Sequence, residues 1–352
     1  MKTFSNEDDV IYNSDCLNIL KNLPEKSIDA VITDPPYGLS DHNHSKIVDI
    51  LKEWLNGNDS VVPDGKGFMG KDWDAFVPPP AVWKECLRTL KPGGHMLVFA
   101  GTRSVDLMGI SLRLAGFEIR DEIIWCYGSG FPKSLNVGKA VDKYCKKERQ
   151  ILGENRCGKN ALMGGLRNIK TSNGKYVITR GNTEWEGWGT ALKPAHEPII
   201  LARKPLENGL NVAENCMKWG TGGLNIDECR VDVNDNEKKH FEKEWDREQS
   251  MSAELGGVAM NKGLKAISLR DYVPSGRFPA NLIHDGSKEI ENCFPETKPS
   301  KCTKRVVQSK GFSAGIEWER AGEETNTIRG YDDTGGSASR FFYKAEWTDE
   351  DI

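Results

Sequence analysis

A run of β-branched residues near the N-terminus stops abruptly at two consecutive prolines. Residues 28–33 read Ile-Asp-Ala-Val-Ile-Thr, which is typical of a buried strand, and Asp34-Pro35-Pro36-Tyr37-Gly38 follow without a break. Each proline fixes its own φ and lacks a backbone N–H, so the strand cannot continue through the pair. Open α/β sheets bind ligands beyond the carboxyl ends of their strands, which makes this turn a candidate site.

Strand and helix patterns alternate on both sides of this turn. Strand patterns cover residues 10–13, 95–100 and 117–126, and helical patterns cover residues 16–23 and 81–91. The alternation predicts an α/β fold with a doubly wound, mostly parallel sheet.

The second half of the chain is more polar than the first. We expect the α/β core to occupy residues 1–203, with a basic loop at about 128–187 inside it. Residues 204–352 are expected to form a large polar insertion that faces the substrate and has little core of its own.

Charge is distributed unevenly along the chain. The formal net charge is −4, yet residues 128–180 hold 12 Lys and Arg against 3 acidic residues, whereas residues 1–60 hold 5 against 11. A basic segment of this kind favours contact with phosphates, and a solvated loop is the alternative interpretation. The candidate DNA-binding residues are Lys133, Lys139, Lys143, Lys146, Lys147 and Arg149.

Other classes of protein are disfavoured by composition. The nine cysteines are widely spaced without any Cys-x-x-Cys pair, so we expect reduced structural thiols and no metal site. No apolar run approaches the roughly 20 residues of a membrane helix, and the acidic start lacks the apolar core of a signal peptide. A cytoplasmic protein without a membrane partner is expected.

The Asp-Pro-Pro-Tyr turn offers chemistry suited to an exocyclic base amine. Such an amine is a poor nucleophile because its lone pair is delocalised into the ring, and two acceptors on its hydrogens would localise that pair. The Asp34 carboxylate and the Pro35 carbonyl, whose direction Pro36 restricts, are two such acceptors. Tyr37 offers a ring on which a flipped base can stack. A simple turn with a half-buried tyrosine is the alternative.

Three other features of the sequence are weighed against structural roles. His196 lies in a proline-flanked turn, where a hydrogen-bonded structural residue is favoured over a catalytic one. Core or lid packing is similarly favoured over base stacking for Trp185 and Trp188. Asp72-Trp73-Asp74 follow a glycine-rich stretch that fits a mobile flap or a plain surface loop equally well.

Several strings together resemble the DNA amino-methyltransferases that act on adenine N6 or cytosine N4. The resemblance begins with Asn13 to Leu20 and Leu23 to Gly38. It continues through Leu90-Lys91-Pro92-Gly93-Gly94, Trp125 to Pro132, Trp188 to Pro198, Gly276 to Asn281, and Ser339-Arg340-Phe341-Phe342-Tyr343. It therefore extends over nearly the whole chain.

This resemblance implies a function and a set of site residues. The implied enzyme methylates N6 of a flipped adenine at specific sites in double-stranded DNA, as in restriction–modification systems, with cytosine N4 as the alternative target. Asp34, Pro35, Pro36 and Tyr37 would form the catalytic loop. Asp15 and Cys16, together with Asp34, would lie beside the cofactor S-adenosylmethionine.

The chain departs from that family in one respect. Members with this motif order resemble a circularly permuted methyltransferase fold, in which a last segment carries a His-Pro-Thr-x-Lys-Pro stretch and an Asp-Pro-Phe-x-Gly-Ser-Gly-Thr loop. Neither string is present, and Phe99-Ala100-Gly101-Thr102 and residues 335–339 are interpreted as ordinary turns. An incomplete fold is therefore expected. Three interpretations are open. A second polypeptide supplies the missing half of the fold, or the chain is a non-catalytic DNA-binding subunit or remnant. Alternatively, part of residues 205–336 takes the place of the missing segment.

Overall fold

The structure is a computed structural model. It describes residues 2–5, 9–40, 42–67, 70–130, 132, 134–156, 175–233, 275–299, 303–306, 309–313, 316–320, 324–329 and 335–345. The candidate residue Lys133 lies outside the described residues, as do Cys157 and Cys302. The chain forms two compact units, residues 1–125 with 197–352 and residues 126–196.

The secondary structure elements are numbered in chain order. The described strands are β1 (Lys2–Ser5), β2 (Val10–Asn13), β3 (Ile28–Thr33), β4 (Leu90–Phe99), β5 (Glu118–Cys126), β6 (Gln150–Arg156), β7 (Lys175–Arg180), β8 (His196–Arg203), β9 (Leu282–His284), β10 (Glu296–Thr297), β11 (Thr303–Val306), β12 (Ser309–Ser313), β13 (Ile316–Arg320), β14 (Glu324–Arg329), β15 (Gly336–Ser337) and β16 (Tyr343–Lys344). The described α-helices are α1 (Cys16–Leu20), α2 (His44–Leu55), α3 (Pro80–Thr89), α4 (Val105–Ala115), α5 (Val137–Tyr144), α6 (Val212–Trp219) and α7 (Lys288–Glu291).

A six-stranded sheet organises the first unit, with strand order β16-β9-β5-β8-β4-β3. β3 runs parallel to β4, whereas β8 runs antiparallel to β4, with His95 opposite Arg203 and Phe99 opposite Ile199. The predicted α/β class is confirmed. The sheet is mixed, because β8 enters between β4 and β5 from the opposite direction.

β3 forms one edge of this sheet. Within the described part of the chain β4 is its paired neighbour, and the side chain of Ile32 is 72% exposed. The sequence predicts a buried strand at this position. That prediction is wrong for Ile32, because no described element covers the side chain.

The core of the first unit is built from α2, α3, α4, β4 and β8. α3 begins at Pro80, a residue well suited to the first turn of a helix, and buries Trp83 and Cys86 on one face. α4 ends at Gly116, whose φ of +108° suits a glycine after a helix. The fully buried core residues include Leu90, Met96, Val98, Met108 and Leu112. Burial of each large apolar side chain contributes roughly 1.5–3 kcal/mol.

The string Lys91-Pro92-Gly93-Gly94 is part of β4, and α6 packs against this strand. The fully buried Asn215 donates to the carbonyls of Pro92 and Thr221 at 2.8 and 2.7 Å. The polar region beyond residue 203 therefore contributes α6 to the core, and β9 and β16 to the central sheet.

The second unit contains α5 and an antiparallel hairpin of β6 and β7. Asn136 caps α5 by accepting the backbone N–H of Lys139 at 2.8 Å. The guanidinium of Arg149 joins helix and hairpin, since it pairs with Asp142 and, at 2.8 Å, with Glu186, and bonds to Thr179. This buried network holds the second unit together.

Across the described stretches, no helix is both long and apolar enough to cross a membrane. The same stretches contain no group of three or more His, Cys, Asp or Glu side chains placed to hold a metal ion. The paired two-stranded sheets outside the central sheet are β1-β2, β6-β7, β10-β15, β11-β14 and β12-β13.

Candidate active site

The Asp-Pro-Pro-Tyr loop begins where β3 ends, at the carboxyl edge of the sheet. Asp34 directly follows Thr33, the last residue of β3, and its side chain is exposed. Pro35, Pro36 and Tyr37 are half-buried. The loop thus presents a carboxylate to solvent while its tyrosine packs against the protein.

Ser104, the residue before α4, contacts the backbone of Tyr37, and Gly101 lies beside the tyrosine side chain. The hydroxyl of Ser104 donates to the carbonyl of Tyr37 at 2.6 Å, and Ser104 is buried. A Cβ at Gly101 would lie 3.4 Å from Cβ and Cδ2 of Tyr37, so this glycine lies directly against the tyrosine. The string Phe99-Ala100-Gly101-Thr102 therefore supports the loop.

Glu197 fixes the other end of the Tyr37 side chain. Because β8 is antiparallel to β4, its first residues lie at the carboxyl edge of β4, where Ala100 donates its N–H to Pro198 at 3.0 Å. The Tyr37 hydroxyl donates to Oε2 of Glu197 at 3.0 Å. The tyrosine is therefore held at its carbonyl, its Cβ and its hydroxyl.

The surroundings of Tyr37 keep its phenol protonated. Burial is the largest effect that raises the pKa of Tyr37 above its ordinary value of 10.0, and hydrogen bonding to Asp34 adds to it. The negative charge and hydrogen bond of Glu197, and the charge of Asp34, raise the pKa further. The phenol is therefore neutral at neutral pH, and the stacking role of Tyr37 stays a prediction.

A buried segment supports the loop from the side of Gly38. The N–H of Gly38 donates to Oδ1 of the buried Asp74 at 3.0 Å. Ser40 donates to the carbonyl of Ala75, and Nε2 of His42 lies 2.8 Å from the same oxygen. Asp72–Asp74 form a 3-10 helix that leads into this segment. The flap hypothesis is wrong for Asp74, which is a buried support of the loop.

Asp15 and Cys16 lie at the start of α1. Oδ1 of Asp15 caps the helix by accepting the N–H groups of Leu17 and Asn18 at 3.0 and 3.3 Å. Burial and the Asp15 carboxylate raise the pKa of the Cys16 thiol. The structure therefore gives Asp15 a capping role, and the cofactor role of both residues stays a prediction.

The predicted DNA-binding residues differ in their surroundings. Lys143, Lys146 and Lys147 are exposed, and Lys139 is half-buried. Arg149 pairs with Asp142 and Glu186 inside the second unit, which gives it a structural role, and its contact with DNA phosphates stays a prediction. Charge counting gives no indication of such internal ion pairs.

Aromatic side chains are found in both units. Phe99 and Trp125, at the ends of β4 and β5, meet edge to face with their centroids 6.3 Å apart. Trp185 and Trp188 of the second unit pair in the same way at 5.1 Å. Tyr144, the last residue of α5, is 89% exposed.

Sequence reasoning missed Glu197 and Ser104 as residues that contact the loop. Glu197 stands in the string Trp188 to Pro198, in which only the neighbouring His196 was weighed for chemistry. The available signal for Glu197 was its position. It is a carboxylate within a string that resembles the family, and it directly precedes the strand pattern that begins at Pro198. No comparable signal marked Ser104.

The structure is that of an α/β protein whose candidate site follows the carboxyl end of β3. The family model N6_N4_Mtase, described as DNA methylase, matches residues 28–311. This span is most of the chain, and the chain therefore belongs to the DNA methylase family.

Three curated proteins are similar to parts of the chain. Type II methyltransferase M.HindIII from Haemophilus influenzae is 26% identical over 62% of this chain and 65% of that protein. Type II methyltransferase M.HinfI, also from Haemophilus influenzae, is 26% identical over 46% of this chain and 42% of that protein. DNA adenine methyltransferase YhdJ from Escherichia coli is 31% identical over 36% of each chain. The chain spans less than two thirds of the length of each relative.

Solved structures with similarity include the cytosine-N4-specific PvuII DNA methyltransferase and the M1.HpyAVI–SAM complex. The first is 14% identical and covers 79% of this chain and 74% of its own, with a TM-score of 0.27. The second is 16% identical and covers 55% of this chain and 54% of its own, with a TM-score of 0.22.

Proposed function

We propose that this chain is the catalytic part of a DNA methyltransferase that transfers a methyl group from S-adenosylmethionine to N6 of a flipped adenine. The observation that carries the proposal is the exposed Asp34 beside a Tyr37 held at three points, at the end of β3. Membership of the DNA methylase family supports DNA as the substrate.

The loop supplies what an exocyclic amine needs in order to react. The Asp34 carboxylate and the Pro35 carbonyl each accept one N–H of the amine, which directs its lone pair out of the base plane. Tyr37 stacks on the flipped base and keeps the amine in position. After transfer the amine nitrogen carries an extra proton, and Asp34 is the carboxylate placed to accept it.

The residues predicted for the cofactor fit its chemistry. The ammonium and ribose hydroxyls of S-adenosylmethionine are hydrogen-bond donors, and Asp15 and Asp34 are exposed carboxylates. The raised pKa of Cys16 keeps its thiol neutral, which suits contact with an adenosyl group. When bound, S-adenosylmethionine supplies a methyl group on a positively charged sulfur that leaves as a neutral thioether.

The second unit supplies positive charge for the DNA backbone. Lys143, Lys146 and Lys147 are exposed at and after the end of α5, where an amphipathic helix gives way to a turn. Three exposed lysines in so short a stretch suit binding to phosphates without regard to sequence. Double-stranded DNA is the proposed partner.

We further propose that a second polypeptide pairs with the edge of β3. Ile32 is largely exposed on this edge strand, and Val10, Ile11 and Tyr12 of β2 are exposed as well. Among the described residues β3 pairs on one side only, and a strand edge with an exposed apolar residue invites a further strand. The added polypeptide would bring the remainder of the cofactor site next to Asp34.

A methyl-transfer assay on duplex DNA tests the enzyme proposal. Asp34→Ala is expected to abolish transfer and leave DNA binding nearly unchanged, because it removes an interaction that matters in the transition state. Asp29→Ala is the matched control, since Asp29 is an exposed carboxylate on β3, the strand that leads into Asp34. Unchanged transfer by Asp34→Ala would overturn the assignment. Analysis of the methylated nucleosides distinguishes adenine N6 from cytosine N4.

Calorimetry with S-adenosylmethionine tests the partner proposal. The chain is measured alone and together with the product of an adjacent reading frame. Binding only in the mixture supports a second polypeptide, and binding by the chain alone contradicts it. Salt-sensitive DNA binding without cofactor binding in either sample would indicate a non-catalytic DNA-binding subunit.

A further inference from the structure

The hydroxyl of Tyr37 carries a single proton, and two carboxylates, Asp34 and Glu197, influence it. It donates that proton to Oε2 of Glu197 at 3.0 Å. Asp34, three residues before Tyr37 in the same loop, is near enough to this hydroxyl to be an alternative acceptor, and it contributes to the raised pKa of Tyr37. The two carboxylates therefore compete for one donor.

This competition bears on catalysis, because Asp34 must accept an N–H from the base. A carboxylate that is already occupied by a phenol is a poorer acceptor for an incoming amine. The hydroxyl therefore helps the reaction only when a different acceptor keeps it away from Asp34. Glu197 is placed to be that acceptor, since its contact with Tyr37 already satisfies the geometry of a hydrogen bond.

We propose that Glu197 is a positioning residue that captures the Tyr37 hydroxyl and so keeps the Asp34 carboxylate free for the target amine. The inference rests on the proposed function, because it assigns Glu197 to the same site. Glu197 acts through Tyr37 and does not itself need to touch the base.

The fold holds Glu197 rigidly enough for this task. Glu197 is the second residue of β8, and Pro198 directly after it is buried and accepts the N–H of Ala100 at 3.0 Å. β8 continues as a paired strand between β4 and β5. An acceptor on a central strand is more precise than one on a loop.

The backbone of Tyr37 is independently fixed. Ser104 donates to the Tyr37 carbonyl at 2.6 Å, and Gly101 lies against its Cβ. Removal of the Glu197 carboxylate is therefore expected to leave the tyrosine ring in place and to change only the acceptor of its hydroxyl. The freed hydroxyl would then donate to Asp34.

This arrangement predicts a specific interaction between two substitutions. Glu197→Ala should lower kcat by about tenfold, the factor that corresponds to roughly one hydrogen bond. Tyr37→Phe has no hydroxyl to occupy Asp34, so adding it to Glu197→Ala should restore kcat to the value of Tyr37→Phe alone. If Glu197 only supported the fold, the double variant would be no faster than Glu197→Ala, and that result would overturn the proposal.

Glu197→Gln serves as the conservative variant. The glutamine carbonyl still accepts the phenol proton, so kcat is expected to stay within a few-fold of the wild type. Rescue of activity by Gln but not by Ala supports capture of the hydroxyl. Equal reduction of kcat by both substitutions contradicts it.

A titration independent of methyl transfer separates this inference from the proposed function. The ionisation of Tyr37 is followed by the ultraviolet difference spectrum between each protein and its Tyr37→Phe counterpart. The charged groups bearing on the phenol are Asp34 and Glu197, so Glu197→Gln should let Tyr37 ionise at lower pH than in the wild type. An unchanged titration overturns the inference. The two experiments can also disagree. If the titration shifts in Glu197→Gln but the wild-type protein transfers no methyl group, the contact is supported and the proposed function is refuted.

Discussion

The backbone N–H of Gly38 donates to Oδ1 of Asp74 at 3.0 Å, which ties the residue after Tyr37 to a buried carboxylate 36 positions along the chain. Gly38 also has a φ of +66°, and a Cβ there would lie 2.7 Å from the backbone nitrogen of Val77. The loop that carries Tyr37 therefore turns at Gly38, where only glycine combines a positive φ with the close approach to Val77.

Gly38→Ala is expected to destabilise the protein and lower methyl transfer. The positive φ alone costs about 1–3 kcal/mol for a residue with a side chain, and the clash with backbone atoms must move the loop as well. Gly57→Ala is the matched control, because Gly57 has a φ of +91° but open space around its Cβ. Thermal unfolding and transfer rates of the two variants are compared. Equal effects would mean that the close approach to Val77 contributes nothing.

Replacement of Lys143, Lys146 and Lys147 by Ala is expected to weaken DNA binding for all sequences alike. Removing one lysine–phosphate interaction should flatten the slope of log K against log salt by about 0.9. The measurement is DNA affinity over a range of salt concentrations. A variant with Lys52→Ala and Lys84→Ala, two exposed lysines of the other unit, is the control and should keep the wild-type slope. A wild-type slope in the triple variant would show that its lysines face away from DNA.

The Asp34 turn is predicted correctly because its cause is local. Two prolines after a β-branched run end a strand in any context, and the structure ends β3 at Thr33. The contact between Tyr37 and Glu197 joins positions 160 residues apart and depends on β8 entering the sheet antiparallel to β4. Strand direction is not encoded in the hydrophobic pattern of β8, so this contact is not visible in the sequence.

The burial and pairing of a side chain also depend on elements that are distant in the sequence. Ile32 lies in a run typical of a buried strand, but its exposure follows from the place of β3 at the edge of the sheet. Arg149 counts as a free positive charge in the sequence, and two carboxylates neutralise it in the fold.

Arg149→Met is expected to destabilise the second unit more than a surface substitution would. Asp142 is 1% exposed and would keep a buried charge without its partner, which costs about 3–5 kcal/mol. The double variant Arg149→Met with Asp142→Asn removes both charges and should recover part of this stability. Limited proteolysis within residues 126–196 measures the effect, and Lys147→Met is the surface control. Equal protection of Arg149→Met and the control would show that the network contributes little.

Acid should weaken the second unit through Glu186. The hydrogen bond from Arg149 is the main cause that lowers the pKa of the Glu186 carboxyl below its ordinary value of 4.5. Because the folded pKa is the lower one, the unfolded state binds the proton first as pH falls. The stability that Glu186 contributes is therefore fully present above about pH 4.5 and is lost as pH falls toward the folded pKa. Glu186→Gln removes this titration, so its protease resistance should be lower at neutral pH and change less between neutral pH and pH 4 or below. Parallel pH profiles for the two proteins would mean that the ion pair with Arg149 does not stabilise the fold.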